Sequence, residues 1–134
     1  VTQKIVRAAA RISTGSHERL QLGNLEIHRD WGWAPEYVEA MWKMVQQPVP
    51  EDLVIATGRT VSLRYFVERA FRHFGLDWTA HVSSDATLLR PSDIRYGAGN
   101  PSRAARVIGW KSTLDVDGVI AALCEAASQD ASGV

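Results

Sequence analysis

Leu53-Val54-Ile55-Ala56-Thr57-Gly58, then Ser62-Leu63-Arg64-Tyr65-Phe66-Val67-Glu68-Arg69-Ala70-Phe71-Arg72-His73-Phe74-Gly75, is the stretch that decides the fold class. Residues 53–56 are a short apolar run, the composition of a strand buried on both faces. Thr57-Gly58 turns the chain. Ser62 can accept a bond from a free backbone N–H and so open a helix. Leu63, Phe66, Val67, Ala70, Phe71 and Phe74 then recur at helical spacing. Gly75 stands where a left-handed helix stop is wanted. A strand feeding a helix is the unit of α/β folds.

The rest of the chain repeats the alternation. Residues 4–14 place Ile5, Ala8, Ala9 and Ile12 on one helical face. Residues 20–25 alternate and turn, as a short strand entering a loop does. A helix is expected over 35–47, with Pro35 in its first turn and Pro48 and Pro50 beyond its end. Residues 77–82 read as a strand and 83–100 as mostly irregular. Asn100-Pro101 opens a short helix that Gly109 ends. A last helix starts near Thr113, with Asp115 and Asp117 at the positive end of its dipole. The expectation is therefore an α/β chain with few short strands and about five helices, and a frayed tail at 130–134. So thin a sheet wants a partner domain.

The chain has 134 residues, enough for one modest core. Fifteen basic residues balance fifteen acidic ones. That balance gives no broad field for nucleic acid or an anionic membrane, so neither is an expected partner. Cys124 is the single cysteine; it rules out an internal disulfide, fits a reducing compartment, and reads as a buried small hydrophobe. No apolar run approaches the roughly 20 residues that span a bilayer. The expected location is cytoplasmic. The opening Val1-Thr2 is compatible with a segment of a longer protein.

Several catalytic patterns are missing. A dinucleotide loop needs glycines beside the pyrophosphate at a helix N-terminus. The nearest match, Gly97-Ala98-Gly99, has Ser102 in place of the third glycine and follows no strand, so a capped turn is expected. His28-Arg29-Asp30 is no zinc site, because the arginine would repel a cation. Tyr65 and Arg69 mimic the spacing of a Tyr-x-x-x-Lys pair, but arginine does not replace lysine there.

Two arginines stand out by context. Arg29 lies in 23–32 and Arg90 in Leu88-Leu89-Arg90-Pro91-Ser92-Asp93, both expected to be loops. Two guanidinium forks converging from separate loops would clamp a diphosphate. The competing reading pairs each arginine with an acidic neighbour, Asp30 or Asp93. Trp31 and Trp33 flank Gly32 and either line a sugar site or wedge the loop onto the core.

At these residues the chain resembles the C-terminal half of the GDP-mannose 4,6-dehydratases, extended short-chain dehydrogenases/reductases. The resemblance runs from Val1 to about Leu123. It is carried by Val1-Thr2-Gln3-Lys4-Ile5, Leu22-Gly23-Asn24-Leu25, Arg29-Asp30-Trp31-Gly32, Tyr37-Val38-Glu39-Ala40-Met41-Trp42, Val54-Ile55-Ala56-Thr57-Gly58, Phe66-Val67-Glu68, Arg90-Pro91-Ser92-Asp93 and Gly109-Trp110-Lys111.

The resemblance implies an enzyme that converts GDP-mannose to GDP-4-keto-6-deoxymannose with bound NADP. It places the catalytic residues and the cofactor loop upstream, in an N-terminal cofactor domain, so this chain alone is inactive and binds no cofactor. It places Lys4 and the Gly23-Asn24-Leu25 turn near the guanosine, and Arg29 and Arg90 on the diphosphate. Asp93 stands where the family has glutamate, toward a ribose hydroxyl. It also implies a dimer or tetramer of the complete enzyme. Gln3, Trp33 and Glu36 depart from the family's arginine, histidine and aspartate. The stretch from Asp77 to Leu89 is shorter than in many members. Two further readings remain: a reductase or another dehydratase or epimerase of sugar nucleotides, and a stand-alone binding module.

Overall fold

A computed structural model describes residues 1–89 and 92–131. Helix α1 spans Thr2–Ser13 and is followed by strands β1, Leu20–Leu22, and β2, His28–Asp30. Helix α2 spans Ala34–Val45. Strand β3, Thr60–Ser62, runs directly into α3, Leu63–His73. A single turn, α4 at Trp78–His81, leads into β4, Val82–Ser84, and a 3₁₀ turn at Ala86–Leu88. Helices α5, Ser102–Val107, and α6, Val116–Ala131, complete the order. The described residues thus hold six α-helices and four three-residue strands, an α/β chain with little sheet.

The main core is a helical layer. α1, α3 and α6 pack on one another. Ala8, Ala9 and Ala10 are each at most 1% exposed, and side chains that small let α6 approach α1 closely. Phe66, Val67 and Phe71 of α3 and Ile5 and Val6 of α1 are fully buried. As the spacing predicts, Ser62 Oγ accepts from the Tyr65 N–H at 3.1 Å. Gly75 ends α3 at φ +70°, a conformation a Cβ would disfavour.

Beneath these helices lie two small sheets. β1 and β4 pair in parallel, Leu20 with Val82 and Leu22 with Ser84. β2 and β3 pair antiparallel, His28 with Ser62 and Asp30 with Thr60. The segment after Asp93 joins β2 from the other side. The His28 N–H donates to the Arg95 carbonyl at 2.8 Å, and the Gly97 N–H to the His28 carbonyl at 3.0 Å.

Four expectations need correction. Residues 53–56 join no sheet among the described residues. Their apolar side chains serve packing instead, with Leu53 and Ile55 against a second cluster of Ala40, Ala104, Ile108 and Trp110. Residues 77–82 do not form a strand. The Asp77 carboxylate accepts from the Thr79 N–H and hydroxyl at 3.0 and 2.8 Å, which caps the turn of α4 and delays the strand to Val82. Arg29, expected in a loop, lies in strand β2. Helix α6 extends through Ala131, and 132–134, the rest of the tail expected to fray, lie outside the described residues.

Cys124 is fully buried in α6, its Sγ 3.9 Å from the Ala70 carbonyl. Burial, with the nearby Glu125 charge second, pushes the thiol up to about 11. The fold favours the protonated form. That contribution is present below the ordinary thiol range and is lost as pH rises toward about 11. At neutral pH a thiol reagent should label Cys124 only as fast as α6 opens. Rapid labelling of the native protein would contradict the packing.

Candidate functional site

The Gly23-Asn24-Leu25 turn follows β1 for local reasons. The Asn24 side chain accepts from the Glu26 N–H at 2.9 Å, an Asx turn that reverses the chain. Leu25 is buried, and its carbonyl accepts from the Arg64 N–H at 2.9 Å. A Cβ at Gly23 would sit 2.8 Å from the Leu88 carbonyl oxygen, closer than backbone allows. That close approach explains a glycine here. Lys4, on α1, donates to the Gln21 carbonyl at 2.8 Å, so its ammonium lies at the strand that carries the turn.

Arg29 projects from β2 toward the segment after Asp93. One terminal nitrogen donates to the His28 and Ile94 carbonyls at 2.8 and 2.6 Å. The other lies 3.4 Å from Asp93 Oδ1. Asp30 takes no part. Its carboxylate accepts from the Thr57 N–H and hydroxyl at 3.1 and 2.8 Å and from the Gly58 N–H at 2.8 Å. It thereby ties β2 to the turn of the Thr57-Gly58 block. Arg29 therefore pairs with an acid, but with the distant Asp93 and not the adjacent Asp30. Arg90 lies outside the described residues.

Between the Asn24 turn and the strand-like segment opens a cleft of about 500 Å³, lined by Asn24, Glu26, His28, Arg95 and Tyr96. Four of its walls went unread in the sequence: Glu26, His28 as a wall, Arg95 and Tyr96. The His28 and Tyr96 rings lie 5.7 Å apart across the parallel bridge that brings them together. His28 Nδ1 sits 3.0 Å from the Glu26 carbonyl, so His28, Arg29 and Asp30 turn to three separate partners. The one available signal was the run Asp93-Ile94-Arg95-Tyr96, two chemistry-bearing residues directly after a named site residue.

The remaining motifs resolve as structure. The Tyr65 hydroxyl donates to Asp117 at 2.8 Å, and Arg69 Nε lies 3.0 Å from the same carboxylate, clasping α3 to α6. The bond to Asp117, and burial second, raise the Tyr65 pKa. A Cβ at Gly99 would meet Ala56 Cβ at 2.5 Å, so this glycine serves chain packing. Asn100 Oδ1 accepts from the Ser102 N–H at 3.0 Å, the capped turn expected before α5. Trp31 packs 5.3 Å from the Phe66 ring and wedges its loop onto the main core.

With this geometry in place, the sequence profile described as GDP-mannose 4,6 dehydratase matches residues 1–123. The chain belongs to this family. GDP-mannose 4,6 dehydratase 1 of Arabidopsis thaliana is 43% identical over 111 residues, covering 83% of this chain and 31% of that protein. The GDP-mannose 4,6-dehydratase of Sinorhizobium fredii (strain HH103) is 40% identical over 149 aligned residues, covering 98% of this chain and 42% of the relative. The human GDP-mannose 4,6 dehydratase is 39% identical, covering 90% and 37%. The chain thus spans about a third to two-fifths of the length of these relatives.

The fold has solved counterparts. RMD from Pseudomonas aeruginosa, solved with NADPH, superposes with a TM-score of 0.85 at 17% identity, over 96% of this chain and 42% of that one. The dTDP-glucose 4,6-dehydratase of Bacillus anthracis, solved with NAD, gives 0.79 at 13% identity, over 92% and 38%. This chain therefore has the fold of part of each of these longer proteins.

Proposed function

We propose that this chain is the sugar-nucleotide-binding part of a GDP-mannose 4,6-dehydratase, inactive alone, with NADP and the redox residues held by an N-terminal cofactor domain. The observation that carries the reading is the meeting of Arg29 and Asp93, 64 residues apart, beside the cleft that Asn24 lines. Family membership supports GDP-mannose as the nucleotide. The described residues do not fit the cofactor. The only glycine cluster packs on Ala56 and the Arg29 stem, and Tyr65 is held by Asp117. No redox step is assigned to this chain.

The chain's own part is to bind and orient. Arg29 is fixed by two carbonyls, and its Nε–H and one terminal N–H remain for phosphate oxygens. Arg90 would supply the second positive charge. Asp93 accepts from Arg29 and would accept from a ribose hydroxyl. Lys4 keeps donors for the guanine edge beyond the one that Gln21 takes. The complete enzyme is a cytoplasmic dimer or tetramer on this reading. No described helix is long and apolar enough to cross a membrane.

Isothermal titration tests the assignment. GDP-mannose should bind measurably, and UDP- and dTDP-sugars at least about tenfold more weakly, roughly 1.4 kcal/mol of discrimination. Equal binding of all three would remove the guanosine assignment. Undiminished binding in the Arg29→Ala, Arg90→Ala double variant would remove the diphosphate clamp.

A further inference from the structure

Arg29 can grip an anion only while its strand holds still. β2 is three residues long and none of them is buried, so it has little rigidity of its own. Its ladder with β3 ends where Asp30 stands opposite Thr60. Past that pair a side chain continues the tie. Asp30 Oδ1 accepts from the Thr57 hydroxyl and N–H at 2.8 and 3.1 Å, and Oδ2 from the Gly58 N–H at 2.8 Å.

Three features make this more than a capped turn. The turn that Asp30 grips is itself locked: Thr57 Oγ1 also accepts from the Arg59 N–H at 3.1 Å, and Gly58 stands at φ +80°. Among the described residues no cation pairs with Asp30, so these three donors hold its charge. Side chains also alternate along a strand. Asp30 faces the Thr57-Gly58 turn, while Arg29 turns to the Ile94 carbonyl and Asp93. A tie on one face of β2 therefore fixes the angle at which the guanidinium leaves the other. Thr60 extends the frame, donating from its hydroxyl to the Gly97 carbonyl at 3.3 Å, in the segment that follows Ile94.

We propose that Asp30 is a positioning residue: by anchoring β2 to the Thr57-Gly58 turn, it sets the approach of the Arg29 fork to the diphosphate. The proposal rests on the reading of Arg29 as a phosphate ligand.

Asp30→Asn is the probe. An amide presents one acceptor and one donor, so at least one of the three donors meets an NH₂ group and loses its bond. The readout is the ratio of GDP affinity to guanosine affinity, by NMR titration, which reaches millimolar binding. Guanosine has no phosphate and is blind to the fork. In Asp30→Asn the GDP affinity should fall at least about tenfold and the guanosine affinity less than about twofold, since a fork displaced by about an ångström forfeits charge-assisted bonds to phosphate alone. In Arg29→Ala the same substitution should add almost nothing, because residues that act through one contact are not additive. Thr57→Val approaches the contact from its other side. It removes one bond, keeps both N–H donors, and should lower the ratio about threefold even if Asp30→Asn fails to fold.

An unchanged ratio in either folded variant, with only the melting temperature lowered, overturns the proposal and leaves Asp30 a turn anchor. Equal losses for GDP and guanosine overturn it too, as does a loss that persists in Arg29→Ala. A parent chain that binds GDP no more tightly than guanosine sinks the phosphate role of Arg29 itself, and the proposal with it. That result is read before any variant is made, so the two failures are told apart.

Discussion

Arg29→Ala should reduce GDP-mannose binding by on the order of 10- to 150-fold and loosen the strand-like segment at 95–97. Both effects follow from the same guanidinium. A charge-assisted hydrogen bond contributes about 1.5–3 kcal/mol, and each 1.4 kcal/mol is about a tenfold change in affinity. Alanine removes the donors left for phosphate. It also strips a partner from the Ile94 carbonyl and leaves Asp93 without its cation. The Gly97 N–H, now bonded to the His28 carbonyl, should exchange faster with solvent in the variant.

Arg29→Lys separates the two roles. An ammonium restores the charge but not the planar fork that reaches two carbonyls and a carboxylate together. Lysine should therefore recover part of the binding and little of the Gly97 protection. If Arg29→Ala speeds Gly97 exchange while affinity stays unchanged, Arg29 is a structural tie only, and the phosphate contact falls to other residues.

How far this site was readable depends on which interactions are local. The Asn24 turn was legible because an Asx turn is closed within three residues. The helices were legible because burial imposes a period, as in α1 and α3. β2 and β3 were not. Each has three residues of intermediate burial, and His28-Arg29-Asp30 shows no apolar alternation. Their partners lie some thirty positions away, where no periodicity reaches. The same non-locality hid the cleft. Arg95 and Tyr96 line it only because the parallel bridge sets Tyr96 against His28. Arg29 and Asp93 were named separately, but nothing in the spacing tells that one holds the other.

Residues 53–56 show the opposite failure. An apolar run has two uses, pairing in a sheet or packing on a neighbour, and composition does not separate them. Here Gly99 approaches Ala56 too closely to admit a side chain, and Ile55 turns to the second cluster. α2 fails in a third way. Its sequence promises a buried apolar face, yet among the described residues the cluster at Ala40 buries just Ala104, Ile108 and Trp110, with Leu53, Ile55 and Val107 partly buried against it.

That small cluster makes Trp110 the most sensitive single position outside the main core. Trp110 is 2% exposed, meets the Tyr37 ring edge to face at 5.8 Å and donates to the Glu36 carbonyl. Truncating a buried tryptophan costs about 3–5 kcal/mol, against a total of about 5–15 for an ordinary domain. Trp110→Ala should therefore release α2 before α1, α3 and α6 unfold, seen as loss of exchange protection across 37–45 at temperatures where 5–12 stay protected. Trp110→Phe keeps most of the apolar contact and loses the Nε1 bond, so about 1 kcal/mol is expected.

Acid should act on the same clasp. Burial alone would push the Glu36 carboxyl up, but the Thr113 hydroxyl and N–H, Leu114 N–H and Ser112 hydroxyl outweigh it and hold the pKa below the ordinary range. The stabilisation is present above the ordinary carboxylate pKa and lost as pH falls through the lowered one. α2 of Trp110→Phe should detach at a higher pH than α2 of the parent chain. Simultaneous melting of α2 and α1 in Trp110→Ala at every pH would mean that the two clusters are one cooperative unit, with Trp110 supporting the whole.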